Sequence, residues 1–376
     1  SSSVHVGRFA AYTNQATAHV SIGQQAGLSQ TSGASNTNVG YQAGYSITTN
    51  NSTTNIGYQA GYHNTNTGTT NVGTEAGKGL TGGYNTTLGY RAGYKGGSSQ
   101  SGQYSVYIGA LAAYDVAGQA DNNTAIGGRA MEKVSTGSRN TCIGRSSGGA
   151  ITTSPDNTFI GYQSGVNYNN TSGDGRNVGV GSTSSGALTT GIYNTFLGYG
   201  AGNGGGGTSG TVTTGNFNTM VGYQAKGSAT AASNQNSFGY SSACTGNNQV
   251  TLGNSSIGTL RCQVTSITAI SDERDKTDIE TIPYGLDFVN SLKPKKFVWD
   301  NRAETDGDGN EFFSNNKGKK DIGFIAQELQ TVDDDYLNLV YDENPEKLEA
   351  TYGRLIPVLV QAIKDLSAKV TALESA

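Results

Sequence analysis

Along the first two-thirds of the chain, the apolar positions neither alternate nor follow a helical period. They recur as one aliphatic residue followed by glycine. Val6-Gly7, Ile22-Gly23, Val39-Gly40 and Ile56-Gly57 open the series, and Phe238-Gly239 and Leu252-Gly253 close it. Most spacings are 16 or 17 residues, with a few of 18 to 24 before Val221. The fullest copies read Asn-Thr-x-aliphatic-Gly-Tyr-Gln-Ala-Gly, as at Asn36 to Gly44 and, with Thr53 in first place, at Thr53 to Gly61. A fixed period of this length marks a repeat architecture. About 16 residues suffice for two short strands and two turns of a parallel β coil. The aliphatic residue and the following alanine (Ala43, Ala60, Ala76, Ala92) are expected to point inward and stack. Glycine serves the corners, and the Asn and Thr ahead of each strand can bond to the next turn. Fifteen turns at the interstrand spacing give a rod of about 70 Å. The insertion from Gly202 to Gly215 falls between repeat cores and is expected to leave the rod as a loop.

From Cys262 the texture changes. An apolar stretch from Ile267 to Ile270 is followed by Ser271-Asp272-Glu273-Arg274-Asp275-Lys276. Ile356, Leu359, Ile363, Leu366, Val370 and Leu373 then repeat at spacings of 3 and 4, an a/d seam of about three heptads near the end of the chain. Ile and Val at a with Leu at d lean by themselves towards two strands. The same pattern also suits an amphipathic helix packed within one chain.

Composition sharpens this division. The 376 residues include 56 glycines and only 34% hydrophobic residues, which points to disorder or to stacked repeats. The 21 tyrosines argue against disorder. Residues 1–260 carry a net charge of +4 and residues 271–376 one of −9, so two differently built regions meet at 260–270. The expected layout is a repeat region over 1–257, a connector over 258–270 and a separate domain over 271–376. Neither region has the basic stripe of a nucleic-acid binder, and no apolar run reaches the length of a membrane span. No signal-peptide pattern is present, and a start at Ser1-Ser2-Ser3 without methionine suggests a fragment or a processed chain. Cys142, Cys244 and Cys262 are odd in number and far apart, which suits small semi-buried residues better than a disulfide framework or a metal site. No metal or cofactor is expected. Glu304-x-Asp306-x-Asp308-Gly309 imitates the start of a calcium loop, but its twelfth position is Asn315. Gly73 to Lys78 lacks both the spacing and the Ser or Thr of a phosphate loop.

One aliphatic residue and one alanine per turn make a thin core, so association of several chains is expected on energetic grounds. In this the pattern resembles the head repeats of trimeric autotransporter adhesins, which are left-handed parallel β-rolls with a shorter period. Related repeats occur in phage tail fibres. The tyrosines after glycine (Tyr41, Tyr58, Tyr90, Tyr162, Tyr199, Tyr223, Tyr240) could be sugar-stacking platforms or a structural ladder, and the ladder is preferred. A receptor site is expected instead in the irregular insertions.

The C-terminal motifs are more specific. The Ser271–Lys276 run, Lys293-Pro294-Lys295-Lys296-Phe297-Val298-Trp299, Asp321-Ile322-Gly323-Phe324-Ile325-Ala326-Gln327-Glu328 and Leu355-Ile356-Pro357-Val358-Leu359 occur in that order. Together they resemble the family of intramolecular chaperones with autocatalytic cleavage. Its members end phage endosialidases, tail fibres and spikes, and a class of membrane-bound transcription factors. With the repeat, the expected fold is mostly β: a trimeric parallel β-roll or β-helix rod followed by an α+β chaperone domain ending in a coiled-coil helix, the last as the resemblance implies. The resemblance also implies a Ser–Lys dyad, with Ser271 as nucleophile and Lys276 as general base, acting once. Asp272, Arg274 and Glu328 match family positions, although surface ion pairing explains them equally well. His5, His19 and His63 all lie outside this domain, so a local Ser–His–Asp triad is unavailable. The scissile bond is expected beside Ser271. Attack on the carbonyl of Ile270 passes through a five-membered ring, whereas attack on Ser271's own carbonyl, towards Asp272, needs a four-membered one. A nucleophile from a neighbouring chain would remove that preference. For the seam, the trimer implied by the family is preferred over the two-strand rule.

The expected protein is thus a homotrimeric distal fibre of a virion, assembled in the host cytoplasm. Its partners would be other tail proteins and a host-surface receptor, either polysaccharide or an outer-membrane component. A bacterial trimeric adhesin would need a C-terminal β-barrel anchor where this sequence has a heptad helix. A capsule depolymerase would need paired carboxylates, and only six acids are scattered over the first 260 residues.

Overall fold

A computed structural model describes the chain apart from residues 1, 14–17, 96–100, 205–209, 264–266, 268, 301, 306–310, 313–316, 343–344 and 347. The residues form two compact units, one of Ser1–Asn254 and one of Ser255–Thr305 with Glu311–Ala376. The chain is mostly β.

The first unit is a parallel β-solenoid. Fifteen three-residue strands, β1 (Val4–Val6) through β15 (Val250–Leu252), stack in chain order into one sheet. Each turn thus contributes one short strand, where the spacing alone suggested two. Among the described residues the rest of each turn is a run of tight corners. Register is strict: Asn38 faces Asn55 and Val39 faces Ile56, and insertions do not disturb it. Leu197 still faces Val221 across the 24-residue turn that holds the Gly202–Gly215 insertion. Residues 205–209 of that insertion lie outside the described residues, and its Val212 is buried in the solenoid core.

The facing of the strand residues corrects the expectation for the aliphatic position. Side chains alternate along a strand, so the first and third residues share a face and the middle one takes the other. The middle residue is the one turned inward. Asn38, Asn55, Cys142, Phe159 and Phe196 are fully buried there, whereas Ile22, Ile56 and Leu88 remain 38%, 39% and 46% exposed. The alanines do point inward as expected: Ala43, Ala60, Ala76 and Ala92 are fully buried. In many turns a third inward position lies eight residues after the aliphatic, as at Ile47, Leu80, Val134, Ile151 and Leu188. The core therefore consists of the middle strand residue, the alanine and this third position.

The character of the core changes along the coil. In early turns the middle position is an amide ladder. Asn55 Nδ2 donates to Asn38 Oδ1 (2.9 Å), Asn71 Nδ2 to Asn55 Oδ1 (2.8 Å) and Thr87 Oγ1 to Asn71 Oδ1 (2.8 Å). From Leu80 onward the core is a continuous apolar cluster that includes Tyr107, Phe159, Phe196 and Met220. A second ladder runs just ahead of the strands. Asn140 Oδ1 accepts from the backbone N–H of Asn157 (2.9 Å) and from its Nδ2 (3.0 Å), and the pattern repeats from Asn157 to Asn177 and from Asn177 to Asn194. These ladders satisfy amides that burial would otherwise leave costly.

The corners explain the glycines. Gly144, after Ile143, has φ of +129°, and a Cβ there would lie 2.4 Å from the carbonyl oxygen of Gly161 on the next turn. Other corner residues take left-handed backbone without being glycine, among them Gln42 (φ 53°), Gln59 (φ 51°) and Arg91 (φ 52°). Such conformations cost roughly 1–2 kcal/mol each. Here they are held by bonds between turns: the N–H of Gln42 donates to the Gln24 carbonyl (3.0 Å) and Gln42 Nε2 donates to Gln25 Oε1 (2.8 Å).

The second unit is small and α+β. It contains β16 (Lys295–Val298) paired antiparallel with β19 (Lys320–Gly323), β17 (Glu304–Thr305) with β18 (Glu311–Phe312), and β20 (Val340–Tyr341) with β21 (Glu349–Ala350). The helices are α1 (Leu286–Ser291), α2 (Ala326–Gln330) and α3 (Leu355–Glu374). The three downstream motifs are therefore β16, the β19–α2 corner and the start of α3. The calcium-loop look-alike falls on β17 and β18, with Asp306, Asp308, Gly309 and Asn315 outside the described residues. Leu329, Leu337, Leu339, Leu355 and Val358 form the core. Asp365 on α3 accepts from the backbone N–H of Leu286 (3.0 Å), which fixes α1 against α3 at its N-terminus.

Candidate active site

The run after Ile270 folds on itself. Residues Glu273–Asp275 make a single 3-10 turn with Asp272 as N-cap, whose Oδ1 accepts from the backbone N–H of Arg274 (2.9 Å). Arg274 returns as an ion pair, with Nη2 2.6 Å from Asp272 Oδ2. The Arg274 side-chain hydrogen bonds, together with that from its backbone N–H, hold the Asp272 carboxyl below its ordinary range. The turn closes with the N–H of Lys276 donating to the Glu273 carbonyl (3.1 Å). One 3-10 turn therefore carries Lys276 back beside the residue that precedes the cap. Lys276 Nζ lies 2.6 Å from Ser271 Oγ. The five-residue spacing thus brings the Ser271 hydroxyl and the Lys276 amine into contact, with Asp272 and Arg274 building the turn between them.

This dyad is open to solvent. Ser271 and Lys276 are both exposed, and Ile270 is 93% exposed. The hydrogen bond runs from the lysine to the serine. Removal of the serine proton needs the opposite polarity, with a neutral amine as acceptor, because an ammonium has no lone pair to offer. Glu328 lies on α2 and pairs with Lys295 at 3.6 Å.

The seam residues of α3 are left largely open by the described residues. Ile356, Leu359, Ile363, Leu366, Val370 and Leu373 are 45% to 78% exposed, while Leu355, Val358 and Ala362 on the other face are buried. The helix thus has two apolar faces, one packed on its own unit and one bare. Packing among the described residues buries the first and leaves the heptad seam half or more exposed in most of its residues.

In the solenoid, tyrosines on adjacent turns stack as a ladder. The centroids of Tyr41 and Tyr58 are 5.4 Å apart and those of Tyr199 and Tyr223 5.2 Å apart, with planes within 13° of parallel. Tyr240 extends the second ladder at 5.5 Å from Tyr223. Stacking turns ring faces towards neighbours and leaves edges outward, which disfavours a sugar platform within a ladder. Tyr90 and Tyr162 lie beside cations instead, Arg91 at 5.1 Å and Arg145 at 5.8 Å from the ring centroids. The Cys142 thiol sits in the core, and burial pushes its pKa up to about 12, so it is an inert packing residue. Among the described residues no group of three or more His, Cys, Asp or Glu could hold a metal ion, and no helix is long and apolar enough to cross a membrane.

No curated protein matches the chain. Residues 271–338 match the family described as chaperone of endosialidase, and the match begins at Ser271 itself. A β-solenoid followed by a domain similar to that family has the layout of a tailspike-like chain with a C-terminal chaperone.

Proposed function

We propose that this chain is a fibre or spike protein of a phage tail that assembles as a homotrimer and then severs its own chaperone at Ser271. The observation that carries the reading is the 2.6 Å contact between Lys276 Nζ and Ser271 Oγ at the first residue of the chaperone match. The step is an acyl shift. Neutral Lys276 takes the Ser271 hydroxyl proton while Oγ attacks the Ile270 carbonyl. The C–N bond breaks, and the departing Ser271 nitrogen takes the proton back from Lys276. Water then hydrolyses the Ile270 ester, leaving a carboxylate on Ile270 and a free hydroxyl on Ser271.

Lysine becomes a base when desolvation disfavours its charge. In the single chain the dyad is exposed, so burial has to come from assembly, which makes cleavage follow trimerisation. The bare seam from Ile356 to Leu373 supports association through α3. Removing the templating domain afterwards leaves a rod that is kinetically trapped. The rod would bear the receptor contacts, for host polysaccharide or an outer-membrane component, and the virion would be its destination.

The test is denaturing electrophoresis of the expressed chain beside Ser271→Ala and Lys276→Ala. The unmutated chain is expected to run as two fragments divided at Ile270–Ser271, and both variants as one full-length band. A folded trimer of uncut wild-type chains would remove self-cleavage from the account. Equal cutting in both variants would remove the dyad.

A further inference from the structure

The outer face of the fifteen-stranded sheet is built for a partner. Its two columns are the first and third residues of each strand. The first runs through residues such as Thr54, Thr141 and Thr195; the third is aliphatic in every strand except for Phe238. No charged residue occurs in either column over all fifteen strands. The charges of the solenoid sit in its corners, for example Arg129, Arg139 and Asp156. The aliphatic column nonetheless stays partly exposed within the chain, and Ile22 and Leu88 reach 38% and 46% exposure.

We infer that this aliphatic column is the contact between copies of the chain, packed parallel and in register. Three features select a second copy as the occupant. The column has the interstrand repeat of about 4.8 Å, and a surface with that same period is another column of this solenoid. Insertions enter the corners and leave the column unbroken, so register between copies would hold along its length. Fourteen partly exposed aliphatic side chains and Phe238, with their flanking column, also offer on the order of 800 Å² per copy, the per-partner area of a stable interface. A strip of that size is more than an isolated soluble chain ordinarily leaves open. The tyrosine ladders and charged corners then remain on the outside, available to a receptor.

This inference rests on the trimer proposed above, and one experiment separates the two. The full chain carries Ser271→Ala to prevent release and Cys262→Ser to remove an exposed thiol. Ile126→Cys is added on the column, or Arg129→Cys at the neighbouring corner, and each protein is mildly oxidised. Light scattering gives the mass and a non-reducing gel gives the linkage. A trimeric mass is expected for both, with roughly half of the Ile126→Cys chains running as linked dimers and less than about a tenth of the Arg129→Cys chains, since a disulfide needs close Cα atoms. Ile160→Cys, two turns on, is expected to repeat the Ile126→Cys result. Trimers in which the column cysteines link no better than Arg129→Cys would overturn the interface and leave the trimer standing. A monomeric mass would overturn both.

Discussion

Glu75 shows how single residues hold the corners. It occupies the left-handed site filled by Gln42 and Gln59 on earlier turns, so an amide ladder gives way there to an ion cluster. Arg91 Nε lies 2.7 Å from Glu75 Oε2, and Lys78 approaches the other oxygen. Burial pushes the carboxyl up, but the hydrogen bonds from Lys78 and Arg91 outweigh it and the net direction is down. A carboxyl whose folded value is depressed adds stability above its unfolded value, and that stability is lost as pH falls through the folded one. Thermal midpoints measured from about pH 5 to about pH 3 are therefore expected to fall less in Glu75→Gln than in the parent. An equal fall in both would show that this cluster adds nothing. At this scale the contact of Lys276 with Ser271 rests on one 3-10 turn capped by Asp272; the five-residue spacing did not single the pair out, and only its resemblance to a family motif did. The left-handed Gln and Arg corners were not legible in the sequence, since intrinsic preference assigns such sites to glycine or asparagine and bonds between turns overrule it here.

Elements in the solenoid are columns more than strands. A three-residue strand buries one side chain and has little stability alone; what spans the turns are the ladders. Asn140 is fully buried, accepts two bonds from Asn157 and donates to the Ser154 carbonyl (2.9 Å). Asn140→Ala would leave buried partners without mates, a loss of about 1–3 kcal/mol. Thermal unfolding is expected to show it as a clear drop in midpoint, and an unchanged midpoint would deny the ladder a structural role. The repeat, its parallel order and the inward alanines could be read from spacing alone. The facing of the aliphatic residue could not. An alternation of two is decided by a one-residue shift, and the apolar residue looked like the natural one to bury. The chain instead buries Asn, Cys or Phe at the middle position and turns the aliphatic outward.

For the whole molecule, that outward column and the bare seam of α3 ask for the same thing. Two unrelated elements of one chain each carry an apolar stripe left partly exposed by the described residues. Ser271 and Lys276 are exposed in the single chain, so under the proposed function it is burial on assembly that would make the lysine a base. Leu366, half exposed at the middle of the seam, is where association can be broken with least disturbance to the chain's own core. The most direct measurement of the central claim is the extent of cleavage in Leu366→Asp beside the unmutated chain, with oligomer mass read on the same samples by light scattering. Cleavage is expected to fall at least about tenfold where the mass is monomeric, which corresponds to more than about 1.4 kcal/mol of lost activation. A Leu366→Asp monomer that cuts itself at the parental rate would contradict cleavage licensed by assembly.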